Sequence, residues 1–195
     1  STDKATGEEI ANVIDQSGVD TLEAIDAAYE AFPTWSKYTP HQRHDLLLAL
    51  HARVQANIDD LTHIIVAENG KAWGDARGEV LYANSYIQWF AEEALRIKGY
   101  TTPAPAGART VVIRQPVGVA ALIAPWNFPL AMITRKVAPA LAAGCTTVVK
   151  APHEAPLSAL AMAQLAHEVG VPNGVINVLT SSRGENDNTM GKALC

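Results

Sequence analysis

An asparagine set between two prolines, in Pro125-Trp126-Asn127-Phe128-Pro129, and a lysine that ends an apolar run at Lys150 have the settings that most invite chemistry. An Asn between prolines commonly caps or turns the backbone; the alternative is that its carboxamide serves a ligand. Lys150 follows an apolar run, where an ammonium is ordinarily solvated. Arg135 lies eight residues beyond Asn127. Its guanidinium fork suits a carboxylate, which it grips through two parallel hydrogen bonds, although a solvated helix face or an intrachain ion pair is the commoner fate of arginine. Cys145 and Cys195 are the only cysteines, and Cys145 opens an apolar run as a small core residue would. His41, His44, His51, His63 and His167 fall in helical stretches without partners at metal-ligand spacing, so no metal site is expected.

A βαβαβ pattern must position these residues. Residues 119–124, 146–149 and 175–179 are short apolar runs, separated by helical stretches over 130–143 and 157–169. Strands that are apolar on both faces and joined by helical crossovers belong in a parallel sheet with right-handed connections. Ligands in such sheets gather at the carboxyl ends of the strands. The loops at 125–129 and 150–156 occupy those ends. Pro139 should kink or interrupt the first crossover helix.

Upstream the pattern is helical. Residues 6–13 suggest a weak strand around Ile10 and Val13, after which Leu22, Ile25, Ala28, Tyr29 and Phe32 trace a helical stripe that Pro33 should end. Further helices are predicted from Pro40 to Val54, from Ile58 to a stop at Asn69-Gly70, and over 74–97. Residues 98–107 read as a Gly- and Pro-containing connector, and 110–114 as a β-branched strand.

A net charge of -5 and a pI of about 5.6 argue against nucleic acid or an anionic membrane as partner. No apolar stretch approaches the roughly 20 residues of a membrane helix, and the first residues lack a signal-peptide core. Two cysteines are too few for a disulfide framework, so a reducing compartment is expected: the cytoplasm, or the mitochondrial matrix if a targeting segment has been trimmed. The dinucleotide fingerprint G-x-G-x-x-G is missing.

Gln115-Pro116-Val117-Gly118-Val119, then Ile123-Ala124-Pro125-Trp126-Asn127-Phe128-Pro129 and Met132-Ile133-Thr134-Arg135-Lys136, closely resemble the aldehyde dehydrogenase superfamily. The likeness continues through Pro139-Ala140-Leu141-Ala142-Ala143-Gly144-Cys145 to Lys150 and covers nearly the whole chain. Arg135 in its Met-Ile-Thr-Arg-Lys context, with Ser158-Ala159-Leu160-Ala161, is similar to the succinate-semialdehyde dehydrogenases of that superfamily.

The resemblance implies an α/β fold: N-terminal helices over 1–108, a bridging and oligomerisation strand over 109–116 completed by C-terminal strands, and a Rossmann-like cofactor-binding part over 117–195. The catalytic domain is expected outside the chain. It also implies oxidation of a small aldehyde, succinate semialdehyde, through a cysteine thioester with NAD or NADP, in a homo-oligomer, dimer or tetramer, at full length. Asn127 matches the oxyanion-holding asparagine, and Lys150 the lysine that binds the adenosine ribose. Ile123, Ala124, Pro125, Trp126, Ala151, Pro152 and His153 fall at the cofactor-binding strand ends. His153 stands where many NAD-using relatives carry a Glu that would repel a 2′-phosphate. Arg135 corresponds to a residue associated with the substrate's distal carboxylate, and Phe128 and Met132 to positions lining the aldehyde tunnel. Neither cysteine has the context of the family nucleophile, so this chain alone is expected to be inactive. The alternatives are a noncatalytic product with a nucleotide-binding or assembly role, and a family member with a different aldehyde substrate.

Overall fold

In the computed structural model, which describes residues 1–195 throughout, the elements run α1 (Gly18–Trp35), α2 (Pro40–Ala56), α3 (Ile58–Asn69), α4 (Trp73–Ala94), β1 (Tyr100–Thr102), β2 (Thr110–Val112), β3 (Val119–Ile123), α5 (Ala131–Ala143), β4 (Thr146–Lys150), α6 (Leu157–Glu168), β5 (Ile176–Leu179) and α7 (Glu185–Leu194). Strands β3, β4 and β5 form a parallel sheet in that order, in register from Val119 opposite Thr146 to Ile123 opposite Lys150. The expected βαβαβ unit is therefore present, with N-terminal helices before it.

The sheet is sandwiched. Val148 points into a small cluster with Ala28, Leu179 and Met190, which brings α1 and α7 onto one face. Its neighbour Val149 points the other way, as strand alternation requires, into the main core shared with α5, α6 and the outer layer of α2, α3 and α4. Central β4 is buried at every position, whereas β3 is an edge strand with Ile123 44% exposed, so burial of that run on both faces is not realised.

Local chemistry explains the helix limits. Capping boxes start α1 at Ser17 and Asp20 and α2 at Thr39 and Gln42, while left-handed Gly70 and Gly144 end α3 and α5. Neither proline interrupts its helix. Helix α1 continues through Pro33 to Trp35 and α5 through Pro139 to Ala143. In each case the carbonyl four residues earlier, of Tyr29 or Arg135, belongs to an exposed residue, so water can serve it.

Three other expectations are corrected. Residues 6–13 hold no strand, only a bridge between Thr2 and Glu9, because Ile10 and Val13 have no adjoining sheet to join. The connector contributes β1, which pairs antiparallel with β2, so the bridging strand has a partner inside the chain. That strand ends at Val112 rather than Arg114. Helix α7 lies in a polar stretch without apolar periodicity; Met190 is its one buried residue. No helix is long and apolar enough to cross a membrane.

Gly174 shows how closely α1 approaches the sheet. Its φ is +79°, and a Cβ there would stand 2.7 Å from the Ala27 carbonyl oxygen and 3.0 Å from the Ala31 Cβ. Gly174→Ala should lower unfolding stability by about 1–3 kcal/mol, through left-handed strain plus the clash. Denaturant titration checks this; an unchanged midpoint would show that α1 yields freely.

Candidate functional site

The Pro125–Pro129 loop leaves the carboxyl end of β3 and enters α5. Its backbone is held from outside: Asn69 Nδ2 donates to the Trp126 carbonyl at 2.9 Å, and Lys71 Nζ to the Asn127 carbonyl at 2.9 Å. Lys71 also lies 4.0 Å from the Phe128 ring centroid and pairs with Glu79. The Glu79 side chain is fully buried, and its Oε1 accepts from the amides of Leu130 at 3.0 Å and Ala131 at 3.3 Å. Glu79 therefore caps α5, satisfying donors that a helix start otherwise leaves free. Sequence spacing would assign that task to Asn127. Instead its carboxamide makes no hydrogen bond within the chain, and Asn127 is exposed beside Trp126 and Phe128.

Met132 and Arg135 share a face of the first turns of α5 at three-residue spacing, and Phe128 stands in the bend just before the helix, where its carbonyl accepts from the Met132 amide at 3.0 Å. The Arg135 guanidinium lies 5.6 Å from the Tyr86 ring centroid and 3.7 Å from Met132 Sδ, with no carboxylate partner. Tyr86 is in turn hydrogen-bonded to Tyr82 on α4. An arginine steadied by an aromatic face keeps its fork available to an incoming anion. The intrachain ion pair open to Arg135 from sequence is not formed.

Lys150 closes β4 one strand away and is only 9% exposed. It pairs with Asp187 of α7, which also accepts from Ser181 Oγ at 2.8 Å. Burial pushes the Asp187 carboxyl up, but the Lys150 and Ser181 hydrogen bonds outweigh it and hold the group below the ordinary aspartate range. His153 Nε2 lies 3.3 Å from Glu154 Oε1 and its Nδ1 4.0 Å from Asp187. Ile123, Lys150, Asp187, Asn188, Gly191 and Lys192 line a pocket of about 490 Å³ at the strand ends. The Ala124 and Ala151 amides donate hydrogen bonds to the carbonyls of Lys150 at 3.3 Å and Leu179 at 2.9 Å, and Pro152 is buried beside them.

Sequence reasoning pointed to Asn127, Lys150 and Arg135 but not to Lys71, Glu79, Asp187 and Lys192, which surround them in the structure. One signal was present for Glu79: it falls on the buried stripe of Ala76, Val80, Ala83 and Ile87, where a carboxylate must find partners. Glu68 is its counterpart on α3. There the carboxylate accepts from the amides of Leu157 at 2.6 Å and Ser158 at 2.9 Å, and from the Ser158 hydroxyl, capping α6. Cys145 is buried at the opposite end of β4, roughly 16 Å from Lys150 at strand rise, and so does not reach this cleft.

The fold thus combines helical crossovers on a parallel sheet with a polar pocket at the strand ends, and carries an unpaired Asn127 and Arg135 on the loop and helix that follow β3. The aldehyde dehydrogenase family model matches residues 1–195, and the chain belongs to that family. It is 51% identical over 194 residues to the succinate-semialdehyde dehydrogenase [NADP(+)] of Saccharomyces cerevisiae, covering 99% of this chain and 39% of that protein. It is 49% identical over 185 residues to the glutarate-semialdehyde dehydrogenase of Pseudomonas putida, covering 94% and 38%. The crystal structure of an Escherichia coli NADP dependent enzyme superposes with a TM-score of 0.94 at 46% identity, covering 98% of this chain and 39% of that one. The chain therefore spans about 39% of the length of these relatives.

Desolvation pushes the Glu68 carboxyl above the ordinary glutamate range, against the pull of its hydrogen bonds from Ser158 and Leu157. A raised folded-state pKa means that the folded chain holds the proton more tightly. The contribution to stability is complete below about 4.3, the ordinary glutamate value, and is lost as pH rises through the folded value. Glu68→Gln removes this titration while keeping an acceptor oxygen. The stability difference between parent and variant should therefore change with pH above that point, the parent losing ground. Parallel melting curves across the range would refute the assignment.

Proposed function

We propose that this chain forms the cofactor-binding wall and supplies the oxyanion asparagine of an NAD(P)-dependent aldehyde dehydrogenase acting on succinate semialdehyde. The observation that carries the reading is the free Asn127 carboxamide: it makes no hydrogen bond within the chain and is exposed beside the exposed rings of Trp126 and Phe128. Asn127 would donate to the aldehyde oxygen as it gains negative charge, an interaction that strengthens towards the transition state. Phe128 and Met132 would flank the aldehyde chain, and the unpaired Arg135 fork would receive its distal carboxylate.

The pocket at the strand ends fits a nucleoside in the chemistry of its donors and acceptors. Lys150 and Asp187 offer a donor and an acceptor to ribose hydroxyls, and Ile123 an apolar wall. Bound there, NAD or NADP would supply the hydride acceptor. His153 in place of a carboxylate, together with Lys192 in the lining, admits a 2′-phosphate, in keeping with the NADP named for the yeast and E. coli proteins. The nucleophile and the hydrolytic base would come from elsewhere in a full-length polypeptide, since Cys145 lies at the wrong end of β4. By itself the 195-residue chain should bind nucleotide without oxidising aldehydes. The full-length protein would be a homo-oligomer, to which the exposed Val111 and Ile113 of the hairpin region would contribute apolar contacts.

Two substitutions in a full-length polypeptide containing this chain test the reading. Asn127→Ala should lower kcat by about 100- to 1,000-fold, as loss of one oxyanion donor does elsewhere. Arg135→Ala should raise KM for succinate semialdehyde by about 10- to 100-fold, the worth of a charge-assisted hydrogen bond, and leave an uncharged aldehyde of similar length unaffected. Equal losses on both aldehydes would remove the basis for the semialdehyde assignment.

A further inference from the structure

We infer that Lys71 is a positioning residue for Asn127, acting from the link between α3 and α4 on the loop that carries the carboxamide. The inference rests on the oxyanion reading of Asn127 proposed above. One ammonium makes three contacts on this segment: it donates to the Asn127 carbonyl at 2.9 Å, stands 4.0 Å from the Phe128 ring centroid, and pairs with Glu79. The Lys71 side chain is 16% exposed and that of Glu79 is 0% exposed, so the ion pair is shielded from solvent and holds the ammonium in place beneath the exposed Asn127 carbonyl. Glu79 carries the restraint onward to the amides of Leu130 and Ala131. Both ends of the asparagine's short loop are thus tied through a single cation, while Asn69 holds the Trp126 carbonyl just before it.

A carboxamide that must meet a developing oxyanion needs its backbone set to within a fraction of an ångström, since a displacement of about 1 Å is enough to reduce turnover by about 100-fold. Asn127 has no side-chain anchor of its own, so the reach of its carboxamide is limited by where the backbone sets its Cα, from which the side chain rotates among its rotamers. Lys71 holds that backbone by the carbonyl. A plainer role for the lysine is to neutralise the buried Glu79, because an unpaired buried charge is strongly destabilising whereas removing both partners is often nearly neutral.

The two roles separate in a double substitution made in a full-length polypeptide containing this chain. Lys71→Met should lower kcat by at least about tenfold, with the nucleotide Kd, measured by calorimetry, unchanged. Combining it with Glu79→Gln removes the unpaired charge, so the melting temperature should recover while kcat stays low. Lys71→Arg, which keeps a donor for both partners, should restore most of the rate. Recovery of kcat in the double variant would overturn the inference in favour of simple neutralisation, as would a parental rate in Lys71→Met. If Lys71→Met alone does not fold, the double variant and Lys71→Arg carry the same comparison. Asn127→Ala is measured in parallel. A parental rate there would reject the oxyanion reading itself, whereas a slow Asn127→Ala beside a fast Lys71→Met would reject only the lysine's part.

Discussion

Glu79, a carboxylate with no access to water, accepts the first amides of α5, and most of the molecule is organised around that bond and its counterpart at Glu68. Helix starts present unpaired N–H groups and a positive partial charge. Here both crossover helices of the sheet receive their anions from α3 and α4 rather than from residues beside them in sequence. Arg43 of α2 completes the scheme at the other end of α5, where its Nε donates to the Ala142 carbonyl at 2.9 Å and the positive charge meets the negative end of the dipole. Removing one partner from such a buried arrangement strands a charge or orphans donors, each at a cost of a few kcal/mol. The N-terminal helices are accordingly the layer that finishes the ends of α5 and α6.

That arrangement has a consequence for chemistry. A short loop entering a helix normally uses its polar side chain as the cap, and Asn is among the best residues for the purpose. With Glu79 in the capping place and the N-cap at Leu130, Asn127 has no capping role, and neither the oxygen nor the N–H groups of its carboxamide are engaged within the chain. The same separation of duties holds for Arg135, which leans on Tyr86 instead of an intrachain carboxylate. Groups that could have satisfied each other locally are kept apart, as a site that must satisfy a ligand requires.

The sheet, its crossovers and both strand-end loops were legible in the chain because short apolar runs and helical stripes are local signals. Topology put Asn127 and Lys150 at strand ends, while the roles expected of them and of Arg135 came from the family resemblance. The capping carboxylates were not legible, since Glu68 and Leu157 are 89 positions apart and Glu79 and Leu130 are 51 apart. Their trace was a negative charge on an otherwise apolar stripe, which periodicity counts as noise and desolvation does not. Helix α7 escaped notice for the opposite reason: with only Met190 buried, it is held by polar contacts such as Gly18 to Thr189 and Lys150 to Asp187. Pro33 was read as a stop and Pro139 as a kink or interruption because a missing N–H looks costly in isolation, but here the deprived carbonyls belong to exposed residues, Tyr29 and Arg135.

The two halves of the proposed site are registered to each other by the sheet. Ile123 lies opposite Lys150, and the next amide, of Ala124, bonds to the Lys150 carbonyl at 3.3 Å. The Asn127 loop and the nucleotide pocket therefore begin at one rung of a parallel ladder, about 4.8 Å apart across the strands. The separation of Asn127 and Lys150 is therefore set chiefly by β3–β4 register, and only the loop's own geometry is left to the contacts from Asn69, Lys71 and Glu79.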